Sequence, residues 1–419
     1  MEVLSIGEKI KRARIYKGFT LKDVCGDDIS VSKLSCIENG KIMPEDWILE
    51  SISKKLSLDS DYLKQGIDEQ INKNINSILS SHISNDLIKE LKYNLEVAEK
   101  HRYYDLAFYI MHLIFDHLVT HDNLKCAQEL IGKYYDLRNN SSEKAQKLLY
   151  YIDVARFFYR NNEYVQAANY FNDIRNRVAG SSSKDYPLLA ESIYGEAVCN
   201  LKLENYTKAY EISKNLNELF KYVKDKIKKA KMYHMMAVLA LRMDNGKFED
   251  YEEKSYEMYE DKNDYKAEAI FNYGYTMFQV NMKKKAVEYI KKALEIYPDR
   301  NMDKLVNFML LCNEELVNNG AIIEAEVVNE NALNYAINLN SIKFIEKAYY
   351  LKAKILEQQN TLMSAEVYMN LSLDALSKFG TKRQLYERYM EMGKMYYDMN
   401  SAADALKYFT LAVVLQKKL

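Results

Sequence analysis

Side chains able to do chemistry are sparse along this chain and gather only once. His112, Asp116, His117, His121 and Asp122 share one stretch, and the four-residue step from His117 to His121 sets two imidazoles on one helical face. Two such rings could hold a metal ion. The run HLIFDHLVTH also reads as the end of an amphipathic helix, where a cationic imidazole suits the negative pole of the peptide dipoles. That second reading is the stronger, so no metal and no other cofactor is expected. The cysteines, Cys25, Cys36, Cys126, Cys199 and Cys312, form no CxxC pair, which excludes a zinc ribbon and gives no disulfide framework. Phosphate-binding GxxxxGK[ST], GxSxG, HExxH and a strand-borne GxGxxG are all missing. The chain is expected not to be an enzyme.

What must position any functional residue here is helix. Among 419 residues there are three prolines and thirteen glycines, too few for the turns of a β-rich fold or the loops of an α/β enzyme. The 48% hydrophobic content suffices for a buried core. Lys+Arg number 59 against 60 Asp+Glu, so a polyanionic partner would need a local basic patch. The start, MEVLSIGEKIKRAR, has no apolar leader core, and no apolar run is long enough for a bilayer. A soluble, reduced, cytoplasmic protein without membrane contact is expected. The 36 tyrosines against one tryptophan suit amphipathic walls that join apolar area to a polar tip.

Three segments differ in pattern: residues 1–65, with short periodic pieces broken by Gly18, Gly26, Gly40 and Pro44; 66–84, polar but periodic, read as a helical linker; and 85–419, helix after helix. In the last segment alanines recur after short polar breaks at 127, 167, 209, 286, 325, 365 and 405, separated by 40, 42, 77, 39, 40 and 40 residues. The gap of 77 becomes two steps if Glu249 takes the slot. Twelve residues before several marks stands another small residue, namely Ala155, Ala197, Gly274, Ala353 and Gly393. This pattern resembles the tetratricopeptide repeat, in which small residues let two helices of a hairpin approach closely. The resemblance implies a right-handed superhelix whose concave side is lined by the first helix of each hairpin. The period near 40 exceeds the usual 34, so helices or loops must be longer.

The first 65 residues are more specific. IGEKIKRARIYKG is amphipathic, with Ile6, Ile10, Ala13 and either Tyr16 or the stem of Lys17 inward; Thr20 can cap a second helix, and SVSKLSCIENGK precedes Pro44. This order, above all Leu34 to Lys41, resembles the five-helix helix-turn-helix domain of the phage-repressor and Cro class. The resemblance implies a double-stranded DNA operator as partner, and a structural ion pair between Arg14 and Glu38. It places Val31, Ser32, Ser35 and Cys36 at base edges, with Ser30 beside them and Lys33 reaching a base or a phosphate. Asn39, Gly40 and Lys41 would meet phosphates through amides and charge. The outward face lacks the Gln and Arg residues of bidentate base contacts. Segment 1–65 carries eleven basic and eleven acidic residues, relieved by Lys9, Lys11, Arg12, Arg14, Lys17 and Lys22 with no acid between them. So little charge makes a dimer on two half-sites the natural remedy.

A repressor-type headpiece followed by such repeats resembles the peptide-pheromone-responsive regulators of Gram-positive bacteria, the Rgg, Rap, NprR, PlcR and PrgX group. The resemblance implies a homodimeric transcription regulator of quorum sensing, with sporulation or virulence genes as targets, and a short signalling peptide bound inside the repeats. On the repeat register the concave positions include Arg156, Tyr159, Tyr194, His234, Asn272, Tyr275, Asn307 and Lys354. Asparagine amides can pair with both the N–H and the C=O of an extended peptide, and Arg156 or Lys354 could hold a carboxylate. The alternative is a repeat domain that binds a phosphorelay response regulator or another protein partner.

Overall fold

The structure is a computed structural model and describes residues 2–26, 28–80, 87–142, 144–180 and 185–417. Among the described residues the regular structure is 23 α-helices and two short 3₁₀ turns. No helix in them is long and apolar enough to cross a membrane. The chain divides into two compact units, Met1–Leu203 and Glu204–Leu419.

The first unit opens with α1 (Ile6–Tyr16), α2 (Leu21–Cys25), α3 (Val31–Glu38), α4 (Asp46–Leu56) and α5 (Ser60–Lys64). Ser5 and Thr20 begin α1 and α2 with reciprocal capping boxes to Glu8 and Asp23. Ile10, Val24, Leu34, Ile37, Ile48, Ile52, Leu56 and Leu63 give this headpiece its own core. Tyr16 points outward instead, 93% exposed, because Gly18 turns the chain away at φ +71° before the ring can fold inward.

Helix α6 (Ile67–Ser80) fills most of the expected linker, whose residues 81–84 lie outside the described residues. It is a packed element, not a free tether. Ile71, Ile75 and Ile78 share one core with Leu91 and Leu95 of α7 (Leu87–Lys100) and Phe108 of α8 (Tyr104–Thr120). Gln70 of α6 clasps the extended segment that enters the headpiece, accepting from the Leu4 N–H at 3.2 Å and donating to the Leu4 carbonyl at 2.9 Å. Beside it the Val3 N–H donates to the Tyr93 hydroxyl at 3.0 Å. The unit continues through α9 (Leu124–Asn140), α10 (Lys144–Arg160), α11 (Tyr164–Ala179) and α12 (Tyr186–Lys202).

The second unit starts with a short α13 (Tyr206–Ser213), then 3₁₀ turns at Lys214–Leu216 and Phe220–Tyr222. It runs on as α14 (Lys226–Met243), α15 (Phe248–Tyr259), α16 (Asn263–Gln279), α17 (Lys283–Ile296), α18 (Met302–Asn318) and α19 (Ile322–Asn338). The last four are α20 (Ile342–Gln358), α21 (Leu362–Ser377), α22 (Lys382–Asp398) and α23 (Ala402–Gln416). The repeats expected as one domain over 85–419 are thus shared between two units. The break falls between α12 and α13, just before a second helix that stops after eight residues and gives way to 3₁₀ turns.

The forty-residue period has a simple geometric origin. Helices α18, α19 and α20 have seventeen residues each, and three-residue turns at 319–321 and 339–341 join them. The middle residue of such turns is left-handed: φ is +57° at Asp122, +61° at Asn162, +63° at Asn281, +51° at Asn340, +58° at Asn360 and +60° at Asn400. The next amide then closes five residues back, as Asn123 does to Leu118 and Ser401 to Tyr396, both at 2.9 Å. Asparagine tolerates this conformation better than most side chains, which is why so many hairpins need so little glycine.

The alanine marks are the fourth residues of second helices: Ala127, Ala167, Ala209, Ala286, Ala325 and Ala365 are fully buried, and Ala405 nearly so. At Gly393, opposite the last mark's helix, an added Cβ would stand 2.6 Å from the Phe409 ring. In α15 the slot belongs to buried Tyr251, not to Glu249, which is exposed. A longer turn, left-handed at both Asp244 and Gly246, moves the start of α15 and shifts the register by two.

Candidate functional site

Helix α3 is held from behind and open in front. Ser30 caps it, its hydroxyl accepting the Lys33 N–H at 3.1 Å. Leu34 and Ile37 are buried, and Gly7 lets α1 press against the end of α3: a Cβ there would lie 2.2 Å from the Ile37 carbonyl oxygen. Arg14 grips Glu38 with two parallel bonds, Nε to Oε1 at 2.6 Å and Nη2 to Oε2 at 2.8 Å, while Nη1 donates to the Phe19 carbonyl at 3.0 Å. One guanidinium therefore joins α1, the turn into α2 and the end of α3.

On the outward side Ser30, Val31 and Ser32 are exposed, and Lys33, Ser35 and Cys36 are half-buried. Lys33 is engaged within the headpiece. Its ammonium lies 3.0 Å from Glu45 Oε1 and over the Trp47 ring, and the Trp47 N–H and Lys33 together hold the Glu45 carboxyl below its ordinary value. A phosphate or base must displace that carboxylate to use Lys33.

Two further expectations need correction. The amides of Asn39, Gly40 and Lys41 are not free for phosphates, because they close α3 onto the carbonyls of Ser35, Ile37 and Cys36 at 3.2, 3.0 and 2.9 Å. The Asn39 side chain also donates to the Ser35 carbonyl at 2.8 Å. Lys41 keeps only its exposed charge. The basic run is likewise thinner than its composition. Lys9 is buried, donating to the Tyr62 and Gln65 carbonyls at 2.7 and 2.8 Å, and desolvation lowers its pKa. Arg12 pairs with Glu2 and Arg14 with Glu38. Exposed Lys11, Lys17 and Lys22 remain.

In the repeats of the first unit, Arg156, Tyr159 and Tyr194 come together around a pocket of about 160 Å³, completed by Phe171, Glu191, Gly195 and Val198. Helices α10 and α12 supply its sides and α11 its floor. Arg156 is no free receptor for a carboxylate. It bonds Glu191 of α12 and lies 3.5 Å from Asp116 of α8 and 3.8 Å from Asp153 of its own helix. Asp153 is buried and accepts the Tyr134 hydroxyl at 2.7 Å; its Oδ2 is also 2.6 Å from His112 Nδ1, within hydrogen-bond distance. His112 thus braces Asp153, while the His117 and His121 rings face each other with centroids 4.0 Å apart.

The other expected groove residues belong to the second unit. Asn272 and Tyr275 on α16 and Asn307 on α18 are exposed. Lys354 is engaged by Glu357 at 3.0 Å and Glu391 at 3.4 Å and lies over the Tyr350 ring, so it too is no free anchor for a carboxylate. His234 packs its ring against Tyr273 at 4.7 Å; burial pushes its pKa down to about 4, and its Nδ1 is shut from solvent without a partner. Its ring is therefore neutral, and it offers a peptide apolar surface rather than charge. Phe171, Glu191, Gly195 and Val198 went unseen in the sequence. Gly195, two residues from the small-residue position Ala197, was the only signal available.

No protein-family model and no curated protein matches the chain. Solved structures similar to it include the apo form of the quorum sensor NprR from B. thuringiensis, 14% identical over 84% of this chain and 99% of that one, with a TM-score of 0.48. Another is aspartyl phosphate phosphatase F from Bacillus subtilis, 15% identical over 99% and 96%, TM-score 0.43. A third is PlcR from Bacillus thuringiensis in complex with the peptide PapR7 and DNA, 14% identical over 61% and 94%, TM-score 0.38. Like these three structures, the chain is helical, and its own later helices pair as hairpins with a period near forty residues.

Proposed function

We propose that the chain is a DNA-binding transcription regulator whose repeats receive a short signalling peptide and control a homodimer's grip on its operator. The observation that carries this is the mounting of α3. Its apolar side is sunk in the headpiece and fixed by Arg14 and Glu38, while Ser30, Val31 and Ser32 face away from the protein's interior. A helix so presented has the width and the polar edge that a major groove admits. Peptide bound among the repeats would reach the headpiece through α6 and α7, which Gln70 and Tyr93 tie to residues 4 and 3. The peptide can contribute only its difference in affinity between the two arrangements of the dimer. The dimer face proposed is the apolar row of the second helices, where exposed Ile323 and Val327 of α19 recur forty residues on as exposed Met363 and Val367 of α21.

The test is selection of DNA sequences by the full chain, followed by mobility shifts with and without synthetic heptapeptides. Enrichment of a two-fold symmetric site, with affinity or oligomeric state altered by some peptide, is expected. No enriched sequence would overturn the DNA-binding half, and unaltered binding and oligomeric state with every peptide would overturn the switch. A response regulator retained by the headpiece-deleted chain would move the conclusion to a protein-binding role.

A further inference from the structure

Resting on the peptide-receptor function proposed above, we propose that the pocket between α10 and α12 selects one residue of the peptide: an apolar anchor of leucine to phenylalanine size, with a cationic group beside it. The size follows from the volume. At about 160 Å³ the pocket matches the space taken by a single benzene-sized group. The pocket exists because α12 carries glycine at 195. A Cβ there would stand 2.5 Å from the Phe171 ring, so Gly195 is what lets that ring reach across and form the floor. Tyr159, Tyr194 and Val198 supply the walls. Burial pushes the Tyr159 phenol up to about 12, so that wall stays uncharged at any physiological pH.

The neighbouring charge follows from the rim. Among the described residues Arg156 reaches three carboxylates, Glu191, Asp116 and Asp153, and the Oδ1 of Asp153 is buried without a hydrogen-bond partner. A peptide carboxylate placed here meets an excess of negative charge. An ammonium or guanidinium meets Glu191 and half-exposed Asp116. The same chemistry could come from a lysine or arginine side chain or from the peptide's own N-terminus.

The experiment uses the full chain and a positional-scanning library of synthetic heptapeptides, in free-amine and N-acetylated forms. Variants are Val198→Phe, which fills the pocket from its open side, Glu191→Gln, which keeps shape and removes charge, and Glu191→Lys. The unaltered protein should enrich Leu, Ile, Met or Phe at one position and Lys or Arg beside it. Loss of enrichment on acetylation would identify the N-terminus as the cation instead. Val198→Phe should move the anchor preference to Ala or Gly and weaken a Leu or Phe peptide at least tenfold. Glu191→Gln should erase the cation preference and Glu191→Lys should turn it towards Asp and Glu. Should Val198→Phe fail to fold, the isosteric Glu191→Gln still decides the rim. Peptides that bind without these preferences, or keep them in every variant, overturn the anchor pocket and leave peptide reception standing. Retention of no heptapeptide at all overturns both.

Discussion

Replacing Arg14 by alanine should unfasten the headpiece while leaving the repeats folded. The Glu38 side chain is only 4% exposed, and both its oxygens are held by this one guanidinium. Removing the partner leaves a buried carboxylate uncompensated, which costs about 3–5 kcal/mol. The lost bond to the Phe19 carbonyl adds about 1 kcal/mol. A headpiece of this size has a total stability of roughly 3–9 kcal/mol, so Arg14→Ala consumes a large part of it. Hydrogen exchange separates the two regions. Amides of α1 and α3 should exchange at least a hundredfold faster in Arg14→Ala, while those of α16 to α22 should not change. Arg14→Met with Glu38→Leu replaces both charges by apolar groups of similar volume and should restore most of the protection. If Arg14→Ala altered exchange in α1 and α3 by less than fivefold, the pair would not be the fastening that its geometry describes.

Other outcomes follow from the same structure. Operator affinity should fall with salt, and Lys22→Ala should reduce the slope of log K against log salt by about one per headpiece; an unchanged slope would remove Lys22 from the phosphate contacts. Val327→Lys with Val367→Lys should convert dimer to monomer in sedimentation at micromolar concentration, and a persistent dimer would place the interface elsewhere. For His234 the sign is fixed by its lowered pKa. Below about pH 6.5 the unfolded chain takes up a proton that the folded chain refuses until about pH 4, so stability is present above 6.5 and falls through that window. The loss at full protonation is about 3 kcal/mol. His234→Leu should flatten the pH dependence of urea unfolding between 7 and 5, and an identical dependence would show that the ring is solvated.

What the sequence disclosed is what local rules govern. The alanine marks, the cap at Thr20 and the period of the hairpins depend on neighbours within one or two turns of helix. The joining of Arg14 to Glu38 was accessible because a motif preserved both positions together. What stayed hidden needed partners far along the chain. Lys9 counted as surface charge until Tyr62 and Gln65 enclosed it, more than fifty residues away. The marks suggested Glu249 because spacing cannot reveal that a longer turn before α15 advances the register to Tyr251. Arg156 looked like a free cation because its acids come from α8, α10 and α12. The pocket required Phe171 of a second helix to be brought beneath Gly195, which no spacing rule encodes.

The asparagine-centred closures give the chain a quantised length. Each turn is complete in three residues, so one extra residue within a hairpin would rotate every later helix by about 100° and carry its alanine off the contact. In the stretch from α19 to α23, where the marks at 325, 365 and 405 stand forty apart, changes in size by duplication or loss are therefore tolerated in whole multiples of forty. Variation of a few residues falls instead at longer breaks, such as the 3₁₀ turns after α13, the turn before α15 and residues 297–301.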